Sequence, residues 1–359
     1  MMVFIGTCQT LCPAQETRER TKYRQLHPIF ERNVAIKRYN RPAAGKLTEP
    51  PENVRPPEIL LEAMKHLMNV TLSEADFPAC YPFIWDRLWA IRQDLTLQEA
   101  NCKLTRAILA QCTRFYIASA TLCVAKPVPL SVFDPVINTN HLMDTIGRLL
   151  HLYEDADVVG ENRPEIELLY VLWNVDSFSC FCRASSLHPA IRSEMGGQLF
   201  DIARSFLHGN MYRLLRLARQ IDNTLRWSAL APNLGAVRVR FLRALNTAYS
   251  SQACVFPLSV LARWLDMSEA ACEALLNFCR IPVVSFGESG GDGNHGQKPE
   301  KNVAFLKTRT DLNLSLDKAS LPHFIPADRV EELQSSIAPL VLTGYVENRQ
   351  QENCGKMNG

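Results

Sequence analysis

From Glu58 onward the sequence repeats apolar residues at helical spacing for about two hundred residues, and this stretch constrains the fold more than any other feature. Between Phe83 and Gln98, residues Ile84, Leu88, Ile91 and Leu95 step at i, i+4, i+7 and i+11, which paints one stripe along a helix. Ile108, Phe115 and Leu122 repeat the pattern. Leu142, Ile146, Leu149 and Tyr153 do so again, after a start signal read at Asn138-Thr139-Asn140. Ile166, Leu169 and Trp173 mark a further helix, and Ile191, Met195, Ile202 and Phe206 are read as one more. His208-Gly209-Asn210 then turns into Met211 to Arg219. Helices of ordinary length joined by short polar loops predict an all-α dominated, stacked helical-repeat domain over residues 58–255.

The flanks read differently. Residues 1–57 are interrupted by Pro13, Pro28, Pro42, Pro50, Pro51, Pro56 and Pro57, which predicts an extended arm with one helix near Ala14 to Gln25. Its first 49 residues carry nine Lys/Arg against four Asp/Glu, so the arm is basic. Over residues 256–310 two short helices, Pro257 to Leu265 and Ser268 to Arg280, precede a β-branched run from Ile281 to Phe286. A glycine-rich segment and the run Asn302 to Lys307 follow. Two helices and then a long-tipped β-hairpin is the order of a winged helix. Residues 311–347 are expected to pack on it, with a polar, frayed tail over 348–359.

Composition excludes several classes. The formal net charge is +2, which excludes a histone-like chain. No apolar run reaches the roughly 18 residues that span a bilayer, and the start lacks a basic leader, so a soluble, unsecreted protein with no membrane partner is expected. Twelve cysteines are too few for a disulfide scaffold. Those such as Cys102, Cys112, Cys123, Cys272 and Cys279 lie among apolar neighbours and read as buried free thiols.

Few residues suggest chemistry. Cys8-x-x-x-Cys12 and Cys180-x-Cys182 lack the second ligand pair that zinc requires. The stretch Gly287 to Lys298 resembles a phosphate loop, yet Pro299 follows the lysine and a strand rather than a helix comes next, so it reads as a hairpin tip. None of the eight histidines sits in a metal or nucleophile motif. An enzyme reading would take Cys8 or Cys12 as a thiol activated by Arg18 and Arg20, but no base is placed beside either. No catalytic residue, cofactor, metal or small-molecule substrate is therefore expected.

The sharper signal is cationic. Met211 to Arg243 holds seven arginines against the single acid Asp222. Arg213, Arg216, Arg219, Arg238, Arg240 and Arg243 are candidate contacts for an acidic partner or a nucleic acid, through charge-assisted and often bidentate bonds. A solvated face is the alternative.

The helix Trp85 to Gln98 mixes Asp86, Arg87, Arg92, Gln93, Asp94 and Gln98 with its apolar stripe. It closely resembles the signature helix of the Sac-three/GANP family. The opening Gly6-Thr7-Cys8-Gln9-Thr10-Leu11-Cys12-Pro13 is similar to that family's first block. Ile36 to Gly45, with Tyr39 and Arg41, is similar to its second, and Val54-Arg55-Pro56-Pro57 follows. Arg114-Phe115-Tyr116-Ile117 and Gly209-Asn210-Met211-Tyr212-Arg213 are further matches, and the blocks keep the family's order over roughly residues 6 to 310. Gln111 stands where the family usually has an acid, and Tyr116 where it has histidine.

The resemblance implies a PCI-like helical stack ending in a winged helix, with Cys8, Cys12, Pro13, Tyr39, Arg41, Arg55, Pro56, Asp86, Arg87, Arg92, Gln93, Asp94, Gln98, Arg114, Phe115 and Asn210 as structural signature residues. It implies a non-enzymatic scaffold. The sequence is most similar to the family's short animal members, associated with centrosome duplication, spindle assembly and mitotic progression. That places it in the cytoplasm, at the centrosome and spindle. The larger members imply an alternative: a nuclear messenger RNA export complex that pairs with a PCI-domain protein and a small acidic subunit and binds RNA. The Phe-Gly repeats and centrin-binding helix of those members are not found in this sequence.

Overall fold

The computed structural model describes residues 4–41, 49–99, 101–126, 128–251, 254, 256–285, 301–305 and 323–343. By internal contacts the chain divides into two compact units, Met1–Glu167 with Ala327–Gly359, and Leu168–Pro326.

In the first unit the described residues of the arm form α1 (Ala14–Lys22), which starts after Pro13, a single 3-10 turn at Pro51–Asn53, and otherwise turns and extended chain. Helix α2 (Pro57–His66) opens on a proline, the residue whose missing N–H costs nothing at a helix start. It passes through a π-helical turn at Leu67–Thr71 into the short α3 (Leu72–Glu74). Helix α4 (Phe77–Leu97) begins six residues before the expected start and takes Pro82 into its early turns, where the ring is exposed. Its stripe is as read: Ile84, Leu88, Ile91 and Leu95 are all 0% exposed.

Helix α5 (Lys103–Ala125) is the buried axis of this unit. By length and composition it is apolar enough to cross a membrane, and 89% of its apolar window is buried inside the fold. Helix α6 (Pro135–Asp155) packs along it. The cap of α6 is Asp134, whose carboxylate accepts from the N–H groups of Val136 and Ile137, so the start signal read at Asn138 is wrong. Asn138 lies inside the helix and fully buried, donating to the Tyr116 carbonyl at 3.0 Å. Helix α15 (Ala327–Leu342) packs against α5, and Arg114 of α5 donates to the Thr343 carbonyl at 2.9 Å. The described part of 311–347 therefore belongs with the helical stack and not, as expected, with the winged helix. Its buried Leu333, Ile337 and Val341 recur every four residues and supply the apolar face for that docking.

Helix α7 (Arg163–Trp173) carries the chain into the second unit. There α8 (Phe178–Ser186), α9 (Pro189–Met195), α10 (Gly197–Leu207), α11 (Met211–Arg219) and α12 (Thr224–Ala248) follow in order. The single helix expected from Ile191 to Phe206 is two. Gly196 sits at φ +84°, a conformation that only glycine adopts cheaply, and it ends α9 and starts α10. Asn210 caps α11 by accepting from Arg213 N–H.

The unit closes with β1 (Phe256–Pro257), α13 (Leu258–Trp264), α14 (Glu269–Phe278), β2 (Val283–Ser285) and β3 (Lys301–Val303). Ser268 caps α14 by accepting from Ala271 N–H. The sheet has three antiparallel strands in the order β1-β3-β2, with Val303 opposite both Phe256 and Val283. The expected hairpin is thus joined by a strand that precedes α13, which the two-residue length of β1 hid from periodicity. The protein is an all-α dominated helical stack with this small sheet at the end of its winged-helix segment. The glycine-rich segment 287–298 and the tail 348–359 lie outside the described residues.

Candidate interaction surfaces

The polar residues of α4 hold the arm. Asp94 is fully buried and accepts from Lys37 Nζ and from Arg55 Nε, each at 2.7 Å, with Arg55 N–H at 3.3 Å. Lys37 also donates to the Asn53 carbonyl, and Arg55 to the Leu11 carbonyl. Two cations on one carboxylate, with carbonyls taking further protons, satisfy charges that burial would otherwise make very costly. One turn on, Gln98 accepts from Gly6 N–H at 3.1 Å and donates to the Arg55 carbonyl at 2.9 Å. Cys8 N–H donates to the Val54 carbonyl at 3.0 Å. At Gly6 the arm lies so close that a Cβ would stand 2.3 Å from the Val54 carbonyl oxygen.

A second knot centres on Glu31, which sequence reading missed because it lies in a stretch without periodicity. It ion-pairs with Arg20 and with Arg87, the latter at 3.2 Å, and accepts from the His27 and Ile36 N–H groups. Burial pushes its carboxyl up, but those two N–H groups and the two guanidinium groups outweigh it and hold the acid below its usual range. Arg87 also pairs with Asp86 at 2.9 Å and lies over the Phe83 ring. Asp86 accepts from Tyr39 N–H, and Gln93 donates to the Asn40 carbonyl at 3.2 Å. Arg41 is exposed.

Behind these lies an aromatic cluster of Trp85, Trp89, Tyr116 and His141. His141 packs edge-on to both tryptophans, at 4.9 and 4.7 Å between ring centroids. Arg92 reaches His141 Nδ1 at 2.8 Å and the Tyr116 hydroxyl at 3.3 Å. A guanidinium only donates, so Nδ1 accepts and the ring is neutral. Burial first and Arg92 second push its pKa down to about 4. The histidine is structural. Gln111 is likewise buried in the core, so this position offers no partner contact. Arg114 forms a fork with Glu165, at 2.5 and 3.2 Å, and Phe115 stacks with Tyr81.

Cys12 does not fit the activated-thiol reading. Cys12 is buried, and desolvation with Glu16 nearby pushes its pKa up to about 11, opposite to the depression that Arg18 and Arg20 were read to give. Cys8, Cys112, Cys123, Cys272 and Cys279 are buried free thiols, whereas the free-thiol reading of Cys102 is wrong: it is half-exposed just before α5 and disulfide-bonded. Among the described residues no group of three His, Cys, Asp or Glu side chains is placed to hold a metal.

In the second unit the arginine window divides. Helix α11 buries Met211, Leu214, Leu215 and Ala218 and turns Arg213, Arg216 and Arg219 outward. Arg213 meets Asp201 at 3.2 Å and Arg219 lies 3.8 Å from Asp266, while Arg216 stands over the Tyr212 ring. Arg243 is exposed, and Arg240 lies on Phe206 with 4.4 Å to the ring centre. Arg238 is not a contact residue. It is 4% exposed, donates to the Leu265 and Asp266 carbonyls, and burial pushes its pKa down to about 10. It ties α12 to the turn before α14. Helical phase separates it from its neighbours: Arg238 shares the core side with Leu234 and Leu242.

The sequence pattern of the SAC3/GANP family matches residues 11–285. Similar proteins include "SAC3 family protein B" of Arabidopsis thaliana, 26% identical over 345 residues and 86% of this chain. "Protein xmas" of Drosophila melanogaster is 27% identical over 73% of the chain, and "SAC3 family protein 1" of Schizosaccharomyces pombe is 33% identical over 46%. The chain spans only 20%, 14% and 17% of the lengths of these relatives.

Proposed function

The chain belongs to the SAC3/GANP family, and from that premise we propose that it is a non-enzymatic helical scaffold acting in centrosome duplication, spindle assembly and mitotic progression. One observation carries the scaffold reading: α11 buries its apolar side and presents Arg213, Arg216 and Arg219 together on the outside. Those cations are a surface for charge-complementary contact, while the conspicuous polar residues of α4 are engaged in holding the arm. The working location is the cytoplasm, centrosome and spindle.

A second reading, a component of a nuclear messenger RNA export complex, draws on the winged-helix order of β1, α13, α14, β2 and β3. By family resemblance this element would pair with a PCI-domain protein and a small acidic subunit, and RNA would be a further partner.

The test replaces the endogenous protein in dividing cells with wild type or with Arg213→Glu, Arg216→Glu, Arg219→Glu. Centriole number, spindle form and co-purifying chains are scored. Loss of centrosomal partners with spindle defects is expected. Recovery of a PCI-domain protein, with nuclear retention of polyadenylated RNA on depletion, would replace the first reading by the second.

A further inference from the structure

A groove of about 430 Å³ opens in the second unit where α8, α9 and α10 meet. It exists because Gly196 stops α9 and lets α10 start in a new direction, so side chains from three short helices converge on one concavity. Phe181, Pro189 and Phe200 give it apolar walls, and Arg192 and Arg204 give it charge. One turn before Phe181, Phe178 is 65% exposed. Arg192 is held by donating to the Ser185 carbonyl at 3.1 Å. The groove is open to solvent, and its volume lies in the ~300–1,000 Å³ range of ligand clefts.

The groove is continuous in charge with the arginine row of α11. Asp201 lies 3.8 Å from Arg204 and 3.2 Å from Arg213, so one carboxylate links the two sets of cations. Arg204 and Arg213 remain about half exposed despite that contact, at 56% and 52%. An apolar slot flanked by guanidinium groups is complementary to a peptide with an aromatic or branched apolar anchor between carboxylates. The anchor would be desolvated in the slot and the acids would meet arginines at its rim. A phosphate backbone fits less well. Asp201 and Asp266 stand inside the cationic row, and the slot itself is lined by apolar side chains.

We infer that the α8–α10 groove is a docking site for an acidic protein segment carrying one apolar anchor, with the α11 arginines extending its charged rim. This rests on the scaffold reading and names the chemistry of the partner.

The experiment selects phage-displayed random short peptides on the full chain, then measures synthetic versions of the enriched peptides by fluorescence anisotropy across a salt series. Enriched peptides should share an aromatic or branched residue flanked by Asp or Glu. Replacing that anchor by Ala should weaken binding at least tenfold, about 1.4 kcal/mol. Phe181→Glu should do the same, and so should the double variant Arg192→Glu, Arg204→Glu. Both of those arginines are exposed, so the double variant keeps the fold and decides the matter if Phe181→Glu fails to give a wild-type melt. Selection of peptides without acids, or binding that the double variant leaves within twofold, would overturn the inference. So would displacement of the peptides by a single-stranded RNA that binds more tightly and depends on the same arginines. If the groove variants change nothing while the α11 triple variant still loses its cellular partners, the groove fails and the scaffold reading stands.

Discussion

Tyr39 lies flat on Trp89, with ring centroids 3.8 Å apart and planes 10° from parallel. An arm residue thereby covers a half-buried tryptophan of α4 fifty positions later, and Tyr39 N–H anchors the same stretch of the arm to Asp86. A stacked aromatic pair contributes about 0.5–1.5 kcal/mol beyond the area it buries. A double-mutant cycle of Tyr39→Ala and Trp89→Ala in chemical denaturation should return a coupling of that size. Strict additivity would mean that the rings touch without stabilising the arm.

Asp94 should be the least replaceable acid of the first unit. Asp94→Asn leaves Lys37 and Arg55 buried without a counter-charge, at a cost of about 3–5 kcal/mol. Removing one orphaned cation as well, in Asp94→Asn with Arg55→Met, should recover part of the loss. A double variant as unstable as the sum of its singles would contradict the shared-carboxylate account.

Gly6→Ala should loosen the arm without unfolding the helical stack. The added Cβ would stand 2.3 Å from a backbone oxygen, so the segment must move and give up its bond to Gln98. Trypsin should then cut after the exposed Arg18 or Lys22 faster than in wild type, with the helical circular-dichroism signal kept. An unchanged cleavage rate would show that the close approach is not needed.

Acidification should destabilise the protein in two separable windows. His141 stays neutral in the fold down to about 4, whereas an unfolded chain takes up that proton near 6.5. The unfolded state therefore binds more protons across that interval, and stability falls as pH drops from 6.5 towards 4. His141→Gln keeps an acceptor for Arg92 and should flatten this part of a Tm-against-pH curve. Glu31, whose carboxyl is held below its ordinary value of 4.5, gives a second loss below that pH, which His141→Gln should leave in place. An identical curve for wild type and His141→Gln would refute the assignment of the upper window.

The parts of the fold legible in the sequence were those written within a few neighbouring residues. The stripe of α4 came out fully buried, and α11 runs from Met211 to Arg219 as read. The misses share a different cause. Asn138 looks like a cap locally but is claimed by the Tyr116 carbonyl, and Asp134 takes the role instead. Arg238 reads like its neighbours Arg240 and Arg243 until the core side of α12 is known. The α8–α10 groove combines residues with no shared periodicity, so no local signal announced it.

Periodicity, proline placement and capping chemistry determined that this chain would be a helical stack behind a proline-broken arm, because each acts through contacts a few residues apart. Only the tertiary structure decided which charges became structural. The pairs Lys37 with Asp94, Arg55 with Asp94, and Arg20 and Arg87 with Glu31 depend on where the arm crosses α4. The docking of α15 on α5 likewise joins segments more than two hundred residues apart. Burial then separated the arginines: Arg238 is a buried tie where water is excluded, while the guanidinium groups of Arg213, Arg216 and Arg219 stay in water.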